Sequence, residues 1–461
     1  MRGDLTQGPI LQTLIAFSIP TLFSNLLQTL GGTINTIWVG QLLGEGALAA
    51  TANGNIIIFL AFAFVFGFGM AATVKVGQYF GARDITAARR VFGTGTGFCI
   101  ALSIAGALLG WAFAEPLVHL LATPAAIVEP SLDYIRISFL SMPFSTAGMM
   151  VSMGMRGVGD SRTPFMAMIM QTVLGIALNP LFILGWGPIP AMGIGGSALA
   201  NVVASFGSVS VMIALTYAND LPLRLRGREL SYLIPLKAEL GYVLAKGLPM
   251  GSQMLITSSA GVIMVGLVNR EGMLTTAAYG AILQIWNYIQ MPSFAISMGV
   301  SAMVAQNIGA GHHRRVDQVT VAGIWANTAV TIVLTGVLLL FDAPLLSLFL
   351  GAGSEAVPIA ERIQLLSTWA WILSGIAMIM IGTMRAYGVV MIPLLIFFVA
   401  QYPARLGFYY LLYPTIGADA LWWSYVFGSA ASLAMTWLAY ARGSWRRTRE
   451  NESPAALAAA E

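Results

Sequence analysis

The sequence predicts an all-α membrane protein: twelve transmembrane helices in two six-helix lobes, related by a pseudo-two-fold axis. Three observations lead there. Hydrophobic residues make up 57% of the 461 and charged residues only 9%, whereas a soluble domain carries about 25% charged residues. Such a chain cannot solvate an ordinary surface. The apolar residues are gathered into stretches of about 20 or more, the length a bilayer requires. The pattern of one half then returns in the other.

Twelve apolar segments follow one another at 10–40, 47–79, 88–114, 127–154, 163–185, 191–218, 240–269, 275–308, 317–341, 357–384, 391–412 and 417–441. Several exceed the bilayer minimum, which implies tilt, bending or extension past the membrane. The first carries no small-residue cleavage site before it and reads as a retained span. Basic residues set the orientation. Arg83, Arg89, Arg90, Arg156, Arg162, Arg224, Arg226, Arg228, Arg314, Arg315 and Arg385 lie in even-numbered loops or at the helix ends flanking them, and Arg442, Arg446, Arg447 and Arg449 follow the last span. The odd-numbered loops and their flanks offer Arg136, Arg270 and Arg362. Both termini and the 219–239 loop are therefore expected in the cytoplasm of a cell whose inner membrane holds the protein.

The halves align at a constant offset. Pro20 pairs with Pro249, and Val76-Gly77-Gln78-Tyr79-Phe80-Gly81-Ala82 with Val304-Ala305-Gln306-Asn307-Ile308-Gly309-Ala310. Met155-Arg156-Gly157-Val158-Gly159 pairs with Met384-Arg385-Ala386-Tyr387-Gly388. With six spans per half, both copies enter the membrane from the same side. The repeat is parallel, an arrangement that secondary transporters use to build a midplane site between halves. The expected organisation is an N-lobe at 1–218, an interlobe linker at 219–239, a C-lobe at 240–441 and a cytoplasmic tail at 442–461.

Composition also removes functions. No solvated basic face exists for nucleic acid. No glycine-rich phosphate loop, paired intramembrane carboxylates or metal-ligand cluster is present, so neither catalytic nor metal residues are assigned and no cofactor is expected. Cys99, the single cysteine, cannot form an intrachain disulfide and reads as core filler. Energy must come from an ion gradient or the substrate's own gradient.

Ordered motifs along almost the whole chain resemble one family. They are Pro20 with Leu26-Leu27-Gln28 and Asn35-Thr36; the stretch closing the second span; Met155 through Pro164; Asn179-Pro180; Gly193-Ile194-Gly195-Gly196-Ser197-Ala198; and Arg405 with Gly417 and Leu421-Trp422-Trp423. Together they resemble the multidrug and toxic compound extrusion (MATE) family, in its bacterial DinF- and NorM-like branch. The resemblance implies a two-lobed antiporter that expels drugs or other organic compounds in exchange for H+ or Na+. Its partners are then small organic substrates, cationic or amphipathic, and the lipid bilayer, and it is expected to work as a monomer. A lipid or lipid-linked oligosaccharide flippase of the same broader superfamily is the alternative. Such a cavity should hold several basic residues for a pyrophosphate, and only Arg405 fits.

Members of the family often carry an acid in the first span and another in the fifth; here Asn35 and Asn179 stand at those positions, and Asn201 where the family has threonine. Asparagine does not titrate near neutrality but offers an acceptor oxygen and two N–H donors. Asn35, Asn179 and Asn201 are therefore the N-lobe candidates for binding substrate or sodium, or they hydrogen-bond between helices. Gln253, Gln284, Asn287 and Tyr288 are the C-lobe candidates, the last three on one helical face. Trp286, Trp369 and Trp371, with nearby methionines, are candidates for an adaptable apolar wall. Pro20 and Pro249 are expected to be bending points, or static kinks. Arg405 reads as a structural intramembrane charge or an anion contact.

Overall fold

The computed structural model describes residues 3–120, 127–188, 190–351, 353–443 and 445–446. Helices account for nearly all of them. In chain order they are α1 (Ile10–Leu43), α2 (Glu45–Gly81), α3 (Ile85–Ala112), the short α4 (Ala114–Leu120), α5 (Val128–Gly157), α6 (Arg162–Leu184), α7 (Gly193–Ala218) and α8 (Lys237–Asn269). There follow α9 (Met273–Gly309), α10 (His313–Leu340), α11 (Asp342–Leu350), α12 (Ala356–Ser367), α13 (Trp369–Ala386), α14 (Met391–Val399), α15 (Arg405–Ile416) and α16 (Asp419–Arg442). Among the described residues, ten helical stretches are long and apolar enough to cross a membrane. The remaining expected spans, in α5 and α16, are helical but less apolar. Each packs on several helices, α5 on α2, α3 and α7, and α16 on α12, α13 and α15. A helix face turned to other helices rather than to lipid can carry serine and threonine. The tenth expected span is broken at Thr368 between α12 and α13, and the eleventh by a π-turn at Ala400–Ala404 between α14 and α15. From residue 447 onward the expected tail lies outside the described residues.

The chain divides into two compact units. Unit 1 comprises Met1–Asp4 and Phe23–Gly251, and unit 2 comprises Leu5–Leu22 and Ser252–Glu461. Each unit thus takes the first part of one long helix and the second part of another. The boundary falls in α1 two residues after Pro20 and in α8 two residues after Pro249.

The same pairings recur within each unit. In unit 1, α2 packs on α3 and α5, α3 on α5, α5 on α7, and α6 on α7. In unit 2, α9 packs on α10 and α13, α10 on α13, α13 on α16, and α15 on α16. The turns match as well. After α2 the chain turns through Arg83 at φ 66°, and after α9 through Gly311 at φ 72°. Glycine reaches this left-handed region freely, whereas arginine pays roughly 1 kcal/mol there. Arg83 is held by an ion pair to Asp4 at 2.6 Å. Two loop acids cap helices: Asp84 caps α3 by accepting from the Ala87 N–H at 2.9 Å. Asp160 accepts from the N–H of Arg162 and of Thr163 at the start of α6.

The core of unit 1 gathers Phe68, Phe92, Met150, Met155 and Leu223. Leu223 belongs to the 219–239 segment, which is docked rather than free. Its 3-10 turn at Gly227–Leu233 lies on α3. Arg89 of α3 bonds the Pro222 carbonyl at 2.8 Å and pairs with Glu229 at 2.7 Å. Gly97 lets the backbone approach: a Cβ there would lie 1.8 Å from the Leu233 carbonyl oxygen. Unit 2 has one core around Ile282, Ile285 and Ile363 and another around Met303, Val304 and Ile379.

Candidate functional site

Three helices of unit 1 bring polar side chains to one cavity. On α6, Gln171, Gly175 and Asn179 recur at intervals of four, a single helical face. Gly175 has open space where a Cβ would stand. On α1, Gln28, Asn35 and Thr36 face the same place, and α7 contributes Asn201. Together with Asn55 and Tyr134 they line a cavity of about 210 Å³.

Asn35 and Asn179 meet inside it. Nδ2 of Asn179 donates to Oδ1 of Asn35 at 2.7 Å and to the Gly175 carbonyl at 3.1 Å. Ser197 donates its hydroxyl to the same Asn35 oxygen at 2.9 Å. Asn179 is 1% exposed, and its own Oδ1 has no partner. A buried amide oxygen left unmatched costs about 1–3 kcal/mol. It is the natural acceptor for a cation or an N–H donor. Among the described residues, no lining residue is an aspartate, glutamate, histidine, lysine or arginine, so the described cavity wall is polar but carries no formal charge.

The sequence-derived trio of Asn35, Asn179 and Asn201 therefore lines one cavity. Ser197, Gln28 and Gln171 were not singled out as site residues. Ser197 and Gln28 lie in the family motifs, and the four-residue spacing of Gln171, Gly175 and Asn179 was the signal for the third.

The unit 2 candidates do not come together in this way. Gln253 is 3% exposed; its Nε2 donates to the Val390 carbonyl at 3.3 Å and its Oε1 accepts from Arg385 at 2.6 Å. The two ends of its amide are thus tied to the last turn of α13 and to the turn that follows it. Gln284, Asn287 and Tyr288 share an exposed face of α9, while Ile285, Trp286 and Ile289 between them are buried. Trp286 and Trp371 meet edge to face at 5.5 Å. Trp369 is exposed and bonds the Leu365 carbonyl instead, so it stands outside that pair. Arg405 is buried, stacked on the Tyr425 ring at 3.5 Å.

A duplicated bundle of apolar helices, with an uncharged polar hollow inside its first copy, defines a polytopic membrane protein of the transporter type. The MatE family model matches residues 20–181 and again 249–411. The two matches begin at Pro20 and Pro249, the pair that the internal repeat aligns. The chain belongs to the MatE family. A relative from Bacillus subtilis, named a probable multidrug resistance protein YoeA, is 32% identical over 94% of this chain and 93% of its own length. Among solved structures, the Vibrio cholerae MATE transporter VcmN in the bent form superposes with a TM-score of 0.86 at 19% identity, covering 96% of this chain and 98% of that one. A MOP superfamily transporter from Pyrococcus furiosus gives 0.87 at 19% identity, covering 98% of each chain.

Proposed function

We propose that the protein is a secondary active efflux transporter that exports drugs or other small organic compounds, cationic or amphipathic, in exchange for H+ or Na+. The observation that carries this reading is the cavity of unit 1, lined by Asn35, Asn179 and Asn201, with the buried Oδ1 of Asn179 unmatched. Asn35, Asn179 and Asn201 bind the ion or substrate there. Amides do not titrate near neutrality, which favours sodium over the proton at this cavity. Gln284, Asn287 and Tyr288 supply substrate contacts from α9, and Gln253 anchors the turn at Val390 to α8.

Transport proceeds by alternating access. The N-lobe at 1–218 and the C-lobe at 240–441 move about bends at Pro20 and Pro249, and the 219–239 linker joins them. The placement of both prolines two residues before the boundary between units supports this assignment. The protein sits in the inner membrane as a monomer, both termini cytoplasmic, as the loop arginines direct. The relatives found include several named multidrug resistance proteins and one named an FAD transporter, names that favour a small-solute exporter over the flippase.

The test is purified protein in lipid vesicles loaded with ethidium. Imposed inward sodium or proton gradients should each be applied alone. Ethidium export driven by one gradient, and absent when it is collapsed, is the expected result. Equal dye retention with and without the protein, under both gradients, defeats the exporter reading.

A further inference from the structure

Unit 2 holds a buried cluster of hydrogen-bond donors that lack acceptors. Arg405 lies 14 residues into the span that starts at Met391, about 21 Å along it at 1.5 Å per residue. Its Nη1 donates to Oε1 of Gln401 at 3.0 Å, but Nε and Nη2 have no hydrogen-bond partner. No carboxylate pairs with it among the described residues. The guanidinium stacks on Tyr425, whose ring lies 5.0 Å from Trp286, which in turn lies 5.5 Å from Trp371. The indole Nε1 of Trp286 and that of Trp371 are also buried without a partner. The hydroxyls of Tyr279 and Tyr425 are bonded to each other. Linked through these rings, then, are a full positive charge and two further N–H donors, with no anion to receive them.

A charged group at membrane depth persists where it meets an opposite charge or a polar ligand. Aromatic faces compensate a cation only in part. We propose that Arg405, with Trp286 and Trp371, forms a subsite for the anionic group of an aromatic substrate, an arene carboxylate or sulfonate. The guanidinium takes the acid oxygens, as its fork geometry suits, and the rings of Tyr425 and Trp286 pack against the arene. The same segment supplies a way to open it. The residues before Arg405 form a π-turn at Ala400–Ala404 that contains Pro403, a backbone form that recurs at functional sites and breaks the regular helical bonding. The subsite rests on the exporter reading for its purpose and extends the substrate class to anions.

The experiment compares two probes of the same bicyclic shape and opposite charge, naphthalene-2-sulfonate and N-methylquinolinium. Equilibrium binding to the purified full-length protein is measured first, then export from vesicles. Arg405→Gln should weaken sulfonate binding about tenfold or more and leave quinolinium binding within about twofold. Arg405→Lys should fall between, since it keeps the charge but not the fork. Trp371→Phe removes one donor, keeps the ring, and should weaken the sulfonate alone by about fivefold; it decides the matter if Arg405→Gln does not fold. Equal loss of both probes, no loss of either, or no sulfonate binding by the wild type overturns the subsite. If neither probe is exported, the exporter reading fails, while the binding data still decide the subsite.

Discussion

Asn179 gives its amide hydrogens to Asn35 and to Gly175, yet its carbonyl oxygen accepts nothing. The bond to Asn35 joins α6 to α1; under the proposed function the empty oxygen receives the ligand. Asn179→Ala removes both. Asn35 still accepts from Ser197, so the fold should be kept, at a cost of about 1 kcal/mol. Transport of ethidium should drop about tenfold or more, the size of a lost contact to a charged ligand. Vesicle transport normalised to protein incorporated checks this. Rates equal to the wild type would remove Asn179 from the site.

Pro20 and Pro249 each withhold a backbone hydrogen bond inside a long helix. Alanine restores that bond and stiffens the segment. If bending there limits the transport cycle, Pro20→Ala and Pro249→Ala should slow export by roughly three- to tenfold, with dye affinity changed less than about twofold. Rates and affinities measured on the same preparation separate the two effects. A loss of affinity with unchanged maximal rate contradicts the bending role.

Gly67 of α2 meets Gly247 and Gly251 of α8 within unit 1. A Cβ on Gly67 would stand 2.4 Å from both the Gly247 carbonyl oxygen and the Gly251 nitrogen. Those are backbone atoms, so the helices must separate. Gly67→Ala should destabilise the protein by about 1–3 kcal/mol. Gly261→Ala, where a Cβ meets nothing within 4 Å, should leave thermal stability unchanged or raised. Thermal unfolding in detergent compares the two; equal midpoints would contradict the close crossing.

Asp342 opens α11, beyond the end of the spanning α10, and its Oδ1 is buried without a partner. Burial, with the Glu361 charge adding to it, pushes its carboxyl up to about 6 from an ordinary 3.8. The folded state therefore holds this proton more tightly than the unfolded state. Its favourable contribution is whole below pH 3.8 and is lost as pH rises through about 6. Asp342→Asn should raise the unfolding midpoint at pH 7.5 and leave it nearly unchanged at pH 4. A midpoint difference independent of pH contradicts the assignment.

Much of this architecture was legible because lipid imposes a coarse rule. Long apolar runs had to become helices, and the repeat of Val76–Ala82 at Val304–Ala310 foretold matching packing in the two units. The broken helices were not legible, since nothing in Ser367-Thr368-Trp369 marks an interruption. Nor was the docking of 219–239, which depends on Gly93 and Gly97 leaving room on α3. At the cavity, Asn35, Asn179 and Asn201 were singled out because the resemblance aligns them with positions where the family often has an acid or a threonine. Gln253 was singled out as a polar residue in an apolar span, but its partners Arg385 and Val390 lie over 130 residues away. Sequence spacing within one helix cannot reveal such a partner.

The allocation of α1 and α8 constrains how the chain is made. Residues 5–22 are synthesised well before their packing partners in unit 2, which begin only at Ser252. Unit 1, in turn, is incomplete until Gly251 has been synthesised. Insertion into the bilayer can proceed helix by helix, but neither half can finish folding as an independent N-terminal-first domain of the usual kind. A gene cut in the 219–239 loop would yield two fragments, each short of a helical segment held by the other. Such fragments should be degraded when produced singly and should recover only when produced together.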